Sequence, residues 1–487
     1  MRYLSFLLLL TIAGCKVGPN YHKPDIAMPQ SFVEEKTPGV ITDEELYLWW
    51  ERWNDPILSS LVQEAKNNNF DVRIALQRVL QARSYYRIES SYLAPEIDLV
   101  ATATRSRYSQ NIFTDNTSVE SVESGVNTLA PRGSIFGPAL QNFFQLGFDA
   151  VWELDIFGKL RRGQEAAFDE WEAIQMQAQG VLLTTISEVV RYYVVIRSLQ
   201  EQMSIIEKKI EVARRNDVLR SLLQQSGLDS QRPVATAAIS LQEEMAKLPV
   251  LETSYKQNIY ALAVLLGKQP ESLLSTFIEK APVPTLLGAV PAGLPSDLLR
   301  RRPDIRMAER KLAAATARIG VAVADYFPKI SLTGTGYGYE SNQQNNWLVP
   351  SARYWTIGPA IQWDLLDFGR TRAQVSVANS QEQEALLAYE KTIITSLQDV
   401  EGALVAYFDE EKRYEYLIQG KIAAESLCNM TKDLFQAGLV DEMQMLQTLN
   451  GVLDQELQCI QSKQALASDM VALYKALGGQ WECLAMP

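Results

Sequence analysis

A ten-residue block occurs twice in this chain. Trp152-Glu153-Leu154-Asp155-Ile156-Phe157-Gly158-Lys159-Leu160-Arg161 returns as Trp363-Asp364-Leu365-Leu366-Asp367-Phe368-Gly369-Arg370-Thr371-Arg372, displaced by 211 residues (363 − 152). Gly227-Leu228 and Gly438-Leu439 keep that displacement, as do Leu266-Gly267 and Leu477-Gly478. Upstream, Asp71-Val72-Arg73 matches Asp304-Ile305-Arg306 and Pro95-Glu96-Ile97 matches Pro328-Lys329-Ile330, displaced by 233 (304 − 71). The smaller downstream displacement places a 22-residue insertion (233 − 211) in the first copy. Two diverged copies of a unit of roughly 200 residues therefore fill almost the whole chain, and a repeat that long is a complete supersecondary assembly used twice.

Each copy contains two short alternating segments and two long helical ones. Ile97, Leu99, Ala101 and Ala103 alternate with Asp98, Thr102 and Thr104. Phe144, Leu146, Phe148, Ala150 and Trp152 oppose Gln145, Asp149 and Glu153. From Ile330 to Glu340, Ser331, Thr333, Thr335, Tyr337 and Tyr339 are expected on one face, with Ile330, Leu332 and three glycines on the other. Trp355, Ile357, Ile361 and Trp363 oppose Thr356, Gln362 and Asp364. Segments of about ten residues with aromatics near their ends suit tilted strands crossing an outer membrane. A soluble sandwich also alternates, but four strands in two hairpins make a poor one.

The helical segments are longer. From Gly158 to about Gln225 there is no proline, and Leu182, Ile186, Val189, Tyr193 and Ile196 recur at steps of four and three. At 1.5 Å per residue this predicts a rod about 100 Å long, packed on other helices as in a coiled coil. Its twin is expected from Gly369 to about Gln436, and each rod turns at a glycine, Gly227 or Gly438, into a returning helix. Shorter helices are expected over 57–92 and 302–326, the second opening with Arg302-Pro303-Asp304, where proline and aspartate suit a first turn. Residues 106–142 read as a polar loop holding the insertion, and 268–297 as a Pro/Leu/Gly-rich linker.

The N-terminus reads as an export signal: Arg2, then an apolar run from Leu4 to Ile12 too short to span a bilayer, closing on Ile12-Ala13-Gly14-Cys15. Small residues before a cysteine at that point resemble a lipobox, which makes Cys15 the lipidation site. Lys16, rather than aspartate, follows it and favours the outer membrane. A formal net charge of −12 and the lack of a basic stripe argue against nucleic acid as a partner. His22 is the single histidine, and Cys428, Cys459 and Cys483 have no metal-ligand spacing, so neither histidine catalysis, nor a metal, nor a cofactor is expected. Gly334-Thr335-Gly336-Tyr337-Gly338 lies in an alternating segment without a following helix, which argues against a phosphate loop. Met443 and Met445 lack nearby His or Cys and read as packing.

Three motifs resemble one family. Cys15-Lys16-Val17-Gly18-Pro19-Asn20-Tyr21-His22-Lys23-Pro24 is similar to the mature start of the lipoprotein branch of the TolC-like outer-membrane factors, the OprM- and NodT-like efflux lipoproteins. Trp49-Trp50-Glu51-Arg52-Trp53-Asn54-Asp55-Pro56 with Leu58 and Leu61 resembles a second family segment. Pro295-Ser296-Asp297-Leu298-Leu299-Arg300-Arg301-Arg302-Pro303-Asp304-Ile305 with Ala308-Glu309 resembles the most distinctive one. The likeness runs from Cys15 to about Gly479. It implies an α+β membrane protein: a homotrimer whose 12-stranded transmembrane β-barrel, four strands per chain, continues into a 12-helix periplasmic α-barrel. Independently of the likeness, four strands cannot close a barrel, since the smallest transmembrane barrels have eight, and open edges are forbidden in lipid.

On this reading residues 1–14 are the signal peptide, 15–56 a lipidated extended segment, 57–267 the first repeat, 268–297 an equatorial linker, 298–479 the second repeat and 480–487 a tail. The implied function is a passive exit duct for small molecules in a tripartite efflux pump, served by a periplasmic adaptor and an inner-membrane pump of the RND type. A type I protein-secretion duct shares the fold; a coiled-coil surface lipoprotein would need no alternating strands, and a lipid-anchored hydrolase finds no nucleophile–base pair. The turns Gly227-Leu228-Asp229 and Gly438-Leu439 are the expected adaptor contacts. The family's acidic aperture positions fall here on Gln444 and Gln447; Asp441 and Glu442 either supply a displaced acidic ring or simply start the last helix.

Overall fold

A computed structural model describes residues 16–33, 48–107, 140–284, 295–343, 346 and 348–479. Cys15, residues 108–139 of the expected polar loop, residues 285–294 of the expected linker and the tail 480–487 lie outside the described residues, while 106–107 and 140–142 belong to strands. Among the described residues the long helices are α1 (Pro56–Asn68), α2 (Phe70–Ser91), α3 (Lys159–Gln225), α4 (Gln231–Leu265), α5 (Pro303–Ala324), α6 (Arg370–Gln436) and α7 (Glu442–Ala476), with a single helical turn at Leu298–Arg301, and the strands are β1 (Glu96–Arg107), β2 (Leu140–Leu154), β3 (Lys329–Ser341), β4 (Arg353–Tyr354) and β5 (Gly358–Gln362).

The duplication is written into the element lengths. Helices α3 and α6 each have 67 residues, α4 and α7 each 35, and α2 and α5 each 22. Both long helices begin just after a glycine with positive φ, Gly158 and Gly369. An aspartate caps each start. Asp155 accepts from the amides of Leu160 and Arg161, both at 3.0 Å, and Asp367 from those of Gly369 and Thr371 at 2.9 and 2.7 Å.

The single helix expected over 57–92 is two helices. Asn69 leaves helical geometry at φ −58, ψ 130, and its Oδ1 accepts the Val72 amide at 3.0 Å, capping α2. Its Nδ2 donates to the Leu265 carbonyl at 2.8 Å, so a buried asparagine ties the break to the end of α4. Asp55 caps α1 in the same way, accepting from Ile57 and Leu58. The tryptophans beside it fill the core: Trp49, Trp50 and Trp53 are buried, and Trp49 stacks on Tyr474 at 5.1 Å.

The chain folds as two units. One comprises Met1–Tyr21, Ser84–Phe168 and Ala314–Glu382; the other comprises His22–Arg83, Asp169–Ala313 and Gln383–Pro487. The first holds the sheet, ordered β1-β2-β3-β4 with β5 also on β3, all pairs antiparallel. The second holds most of both helical hairpins. Its centre is α3, where Ile186, Val189, Val190, Tyr193, Val194 and Ile196 are buried.

Candidate functional site

The sheet has two chemically different faces. Register pairs Ile97 with Ala150, Leu99 with Phe148, and Ala101 with Leu146, which in turn faces Tyr339. Lower down, Trp152 lies opposite Leu332, and Leu332 opposite Pro359. These residues, with Ile361 opposite Ile330, form an apolar face that stays open to the surroundings: Ile97, Leu99 and Ile361 are each more than 60% exposed, more than single scattered surface residues would require. The other face is polar. Asp98 sits directly opposite Asp149, and Thr102, Gln145 and Glu340 share a row. Two carboxylates side by side on neighbouring strands repel, so this face needs water.

The third strand corrects the expected pattern. Its register slips between Gly147 and Asp149, where three steps on β3 from Thr335 to Gly338 match two on β2. This bulge moves Tyr337 and Tyr339 onto the face of Ile330 and Leu332, the reverse of strict alternation. Their rings meet edge to face at 6.4 Å, as same-face neighbours do. The slip also breaks the expected fourth strand into β4 and β5, because residues 355–357 lie opposite the irregular stretch.

Glycines at the bulge make room for a crossing side chain. Tyr354 pairs with Gly338, and its hydroxyl accepts from Gln145 Nε2 at 2.8 Å, two strands away. A Cβ on Gly338 would stand 2.6 Å from the Leu146 carbonyl oxygen and 2.9 Å from the Tyr354 ring, and one on Gly147 2.9 Å from its hydroxyl. At the opposite end of the strands the two copies carry the same anchor. The Trp152 indole donates to the Leu93 carbonyl at 2.9 Å, and Trp363 donates to Tyr326 at 3.1 Å. Half-exposed indoles bound at one edge suit a membrane interface.

Beside this edge, the segment following Cys15 is clamped. Val17 donates its amide to the Phe157 carbonyl at 3.1 Å. Arg162, 1% exposed, donates to the carbonyls of Val17 and Gly18 and to Asn20 Oδ1 at 3.0, 3.2 and 2.8 Å. Glu165 pairs with Arg162 and Lys16. Burial pushes its carboxyl up, but those hydrogen bonds outweigh it and hold it below the usual range. Gly18 (φ +83) is required, because its Cβ would lie 2.4 Å from the Gly320 Cα.

The two helical turns are built alike. Leu228 donates to Leu223 at 2.8 Å and Gly227 to Gln224 at 2.9 Å; Leu439 donates to Leu434 and Gly438 to Phe435, both at 2.9 Å. This pair of bonds is a Schellman motif, which needs the positive φ that Gly227 (+71) and Gly438 (+74) supply. The leucine of such a motif usually packs back on its helix, yet Leu228 is 77% exposed and Leu439 72%. Asp229 pairs with Arg220 at 3.0 Å, whose hydrogen bond holds its carboxyl low.

Among the residues expected at an aperture, Asp441 is the N-cap of α7 and accepts the Gln444 amide at 2.8 Å. Glu442 is held by Arg215 of α3 through two bonds of 2.7 and 3.0 Å, which keep its carboxyl below the usual range. Gln444 and Gln447 are exposed one turn apart. Arg215 escaped the sequence reading, since 227 residues separate it from Glu442. Above it, Lys209 of α3 bonds Glu244 of α4 at 2.9 Å and Asp454 of α7 at 2.7 Å, tying three helices at one ammonium.

The family model described as "Outer membrane efflux protein" matches residues 61–268 and 294–479. Nodulation protein T of Rhizobium leguminosarum bv. trifolii is 28% identical over 92% of this chain and 90% of its own. The solvent efflux pump outer membrane protein SrpC of Pseudomonas putida is 29% identical over 99% of this chain and 98% of its own. Among solved structures, the outer-membrane channel OprN superposes with a TM-score of 0.83 at 29% identity, covering 96% of this chain and all of its own.

Proposed function

Because the chain belongs to the outer membrane efflux protein family, we propose that three copies close their four-strand sheets into one barrel and act as the passive outer-membrane duct of a tripartite efflux pump. The observation that carries this is the sheet itself: an exposed apolar face, a water-requiring polar face, and two open edges, β1 and β4/β5. Unpaired backbone at an edge cannot stand in lipid, and further copies of the same sheet satisfy it. The polar face then lines the bore, with Asp98 and Asp149 hydrated inside. Transport needs no catalytic residue, because the energy enters at an inner-membrane pump of the RND type through a periplasmic adaptor. Each repeat, 57–267 and 298–479, supplies two strands and one helical hairpin, and the described parts of the linker, 268–284 and 295–297, belong to the belt around the helices. The relative SrpC is named for solvent efflux, and small organic compounds are the cargo class this reading takes.

Three finer assignments belong to the same reading. Cys15 carries the lipid, supported by the clamp that holds Lys16, Val17 and Gly18 at the junction of β2 and α3. The exposed Leu228 and Leu439 meet the adaptor, with Gly227, Gly438 and Asp229 shaping that surface. Residues 441–447 line the aperture: Glu442 is matched by Arg215, which leaves Asp441 and the amides of Gln444 and Gln447 as its polar groups.

The test is reconstitution of full-length protein in a planar bilayer, with chemical crosslinking to count subunits. Stable single-channel currents from a crosslinked trimer are expected. A folded monomer that carries no current and binds no adaptor would sink the duct. Intact-mass analysis should find acylated Cys15, and no acylation in Cys15→Ser; an unmodified wild-type N-terminus would remove the anchor.

A further inference from the structure

The charged residues of the sheet are sorted by face. Glu96, Asp98, Asp149, Glu153, Lys329 and Glu340 all fall on the polar face. Among the described strand residues, the charged groups on the apolar face are three arginines. Arg105 and Arg107 continue the row of Ile97, Leu99, Ala101 and Ala103 to the end of β1, and both are exposed. Arg353 opens β4 opposite Tyr339, which fixes it on the same apolar face. In a chain of net charge −12, a membrane-facing surface whose charges are all cationic is a selective arrangement.

The arginines also lie toward the loop end of the sheet: register puts Arg353 on the row of Tyr339, Leu146 and Ala101, and Arg105 and Arg107 continue the same face beyond that row. Strands β1 and β4 run in opposite directions, so the last residues of β1 and the first of β4 lie at the loop end, away from the ends that lead into helices. They occupy the two opposite edges. When copies close edge to edge, the edge that carries Arg105 and Arg107 in one copy meets the edge that carries Arg353 in the next. This arrangement rests on the trimer proposed above. Arginine facing lipid is costly at mid-bilayer and tolerated near the headgroups, so these residues mark the outer headgroup layer. The Arg353 guanidinium lies over the Tyr339 ring, 5.9 Å from its centroid, beside Tyr337. The guanidinium also hydrogen-bonds the Tyr339 side chain, which holds it in place, and a planar guanidinium can take phosphate in two parallel bonds.

We propose that Arg105 and Arg107 of one copy and Arg353 of the next form a site for the phosphate groups of an outer-leaflet glycolipid, three sites per trimer. Polybasic clusters at membrane surfaces recognise anionic headgroups in this way. Here the apolar rows of β1 and β2 below the arginines would receive the acyl chains.

The test uses the full-length trimer in detergent and native mass spectrometry. The probes are bis-phosphorylated lipid A, its dephosphorylated form, phosphatidylglycerol and inorganic phosphate. Up to three lipid A molecules should bind per trimer, and affinity should fall about tenfold or more in a combined Arg105→Gln, Arg107→Gln, Arg353→Gln variant. The matching Arg→Lys variant keeps the charge but loses the fork and should fall between wild type and the glutamine variant, which separates lost charge from a damaged fold. Lys329→Gln, on the other face, should leave lipid binding unaltered. Full affinity in a trimeric glutamine variant, or equal binding of dephosphorylated lipid A, would overturn the site. Equal retention of phosphatidylglycerol would reduce it to a general anionic-lipid contact, and displacement by millimolar phosphate alone would overturn the lipid assignment. A wild-type protein that fails to trimerise refutes the duct first, by a readout that involves no lipid.

Discussion

Lys209→Met should loosen the helical hairpins by an amount the structure lets one work out. Its ammonium is 4% exposed and bonds Glu244, 12% exposed, and Asp454, 44% exposed. Glu244 keeps one other partner, the half-exposed Lys247, and its Oε2 has no hydrogen bond in the folded chain. Removing one member of a fully buried pair costs about 3–5 kcal/mol, whereas an exposed pair is worth about 0–1 kcal/mol. The half-solvated partners here place the loss between these limits, at about 2 kcal/mol, or roughly a 30-fold rise in local opening. Native-state hydrogen exchange on peptides around Glu244 and Asp454 reads that opening directly. Lys209→Met with Glu244→Met removes both charges and should return to within about 1 kcal/mol of wild type. A single variant exchanging within threefold of wild type, or a double variant as labile as the single, refutes the reasoning.

The same group sets a pH signature. Burial pulls the Lys209 ammonium down, but the hydrogen bonds to Asp454 and Glu244 outweigh it and hold it above the usual amine range. Its contribution is complete below the unfolded amine's pKa and is lost only as pH climbs through the raised folded value. Burial pushes the Glu244 carboxyl up, yet Lys247 and Lys209 outweigh it and hold it low. Its contribution is complete above the ordinary carboxylate value and is lost as pH falls through the depressed one. Opening near Glu244 should therefore be flat through neutral pH and rise in acid below about pH 4.5. The acid limb should vanish in the double variant.

Arg302 joins three elements, bonding Asp304, Asp399 and the Ala476 carbonyl at the end of α7. Arg302→Met leaves that carbonyl without this donor, and heat dissociation of the oligomer should report a loss of about 2–3 kcal/mol. Gly338→Val should prevent the oligomer from forming on a gel, because a Cβ collides with the Leu146 carbonyl oxygen. Tyr354→Phe loses one hydrogen bond to Gln145 and should weaken the oligomer by only about 1 kcal/mol. Gln444→Asp combined with Gln447→Asp should make bilayer currents sensitive to millimolar divalent cations, with little block in wild type. Equal block in both would place the narrowest point elsewhere.

Much of this fold was legible because it rests on period and repetition. The spans expected from Gly158 to Gln225 and Gly369 to Gln436 match α3 and α6 to within a residue, since proline-free heptad steps leave the backbone one choice. The break at Asn69 could have been heard in Asn67-Asn68-Asn69, a poor helical run ending in a good cap. The slip in β3 was hidden, because alternation with glycine on one side looks the same before and after a one-residue shift. The ionic ties were hidden for a different reason: Arg215 and Glu442 meet only because two hairpins lie side by side. Of the turn residues, the glycines and exposed leucines were readable from the repeat. Asp441 as a cap was one of two readings that the residues alone left open, and its bond to Gln444 supports the helix-start role.

Equal helix lengths in the two copies make the hairpins matched rulers. Inserting one heptad into α3 would extend it by about 10 Å. The insertion would also carry Lys209 and Arg215 out of step with Asp454 and Glu442 if it fell before them. The returning helix α4 would have to grow by the same amount to bring the chain back to Asn69, and α6 and α7 would have to follow. Changes in reach are therefore admitted only as coordinated sets of four. A lineage that tunes its length to a partner must therefore change all four helices together, in whole-turn increments.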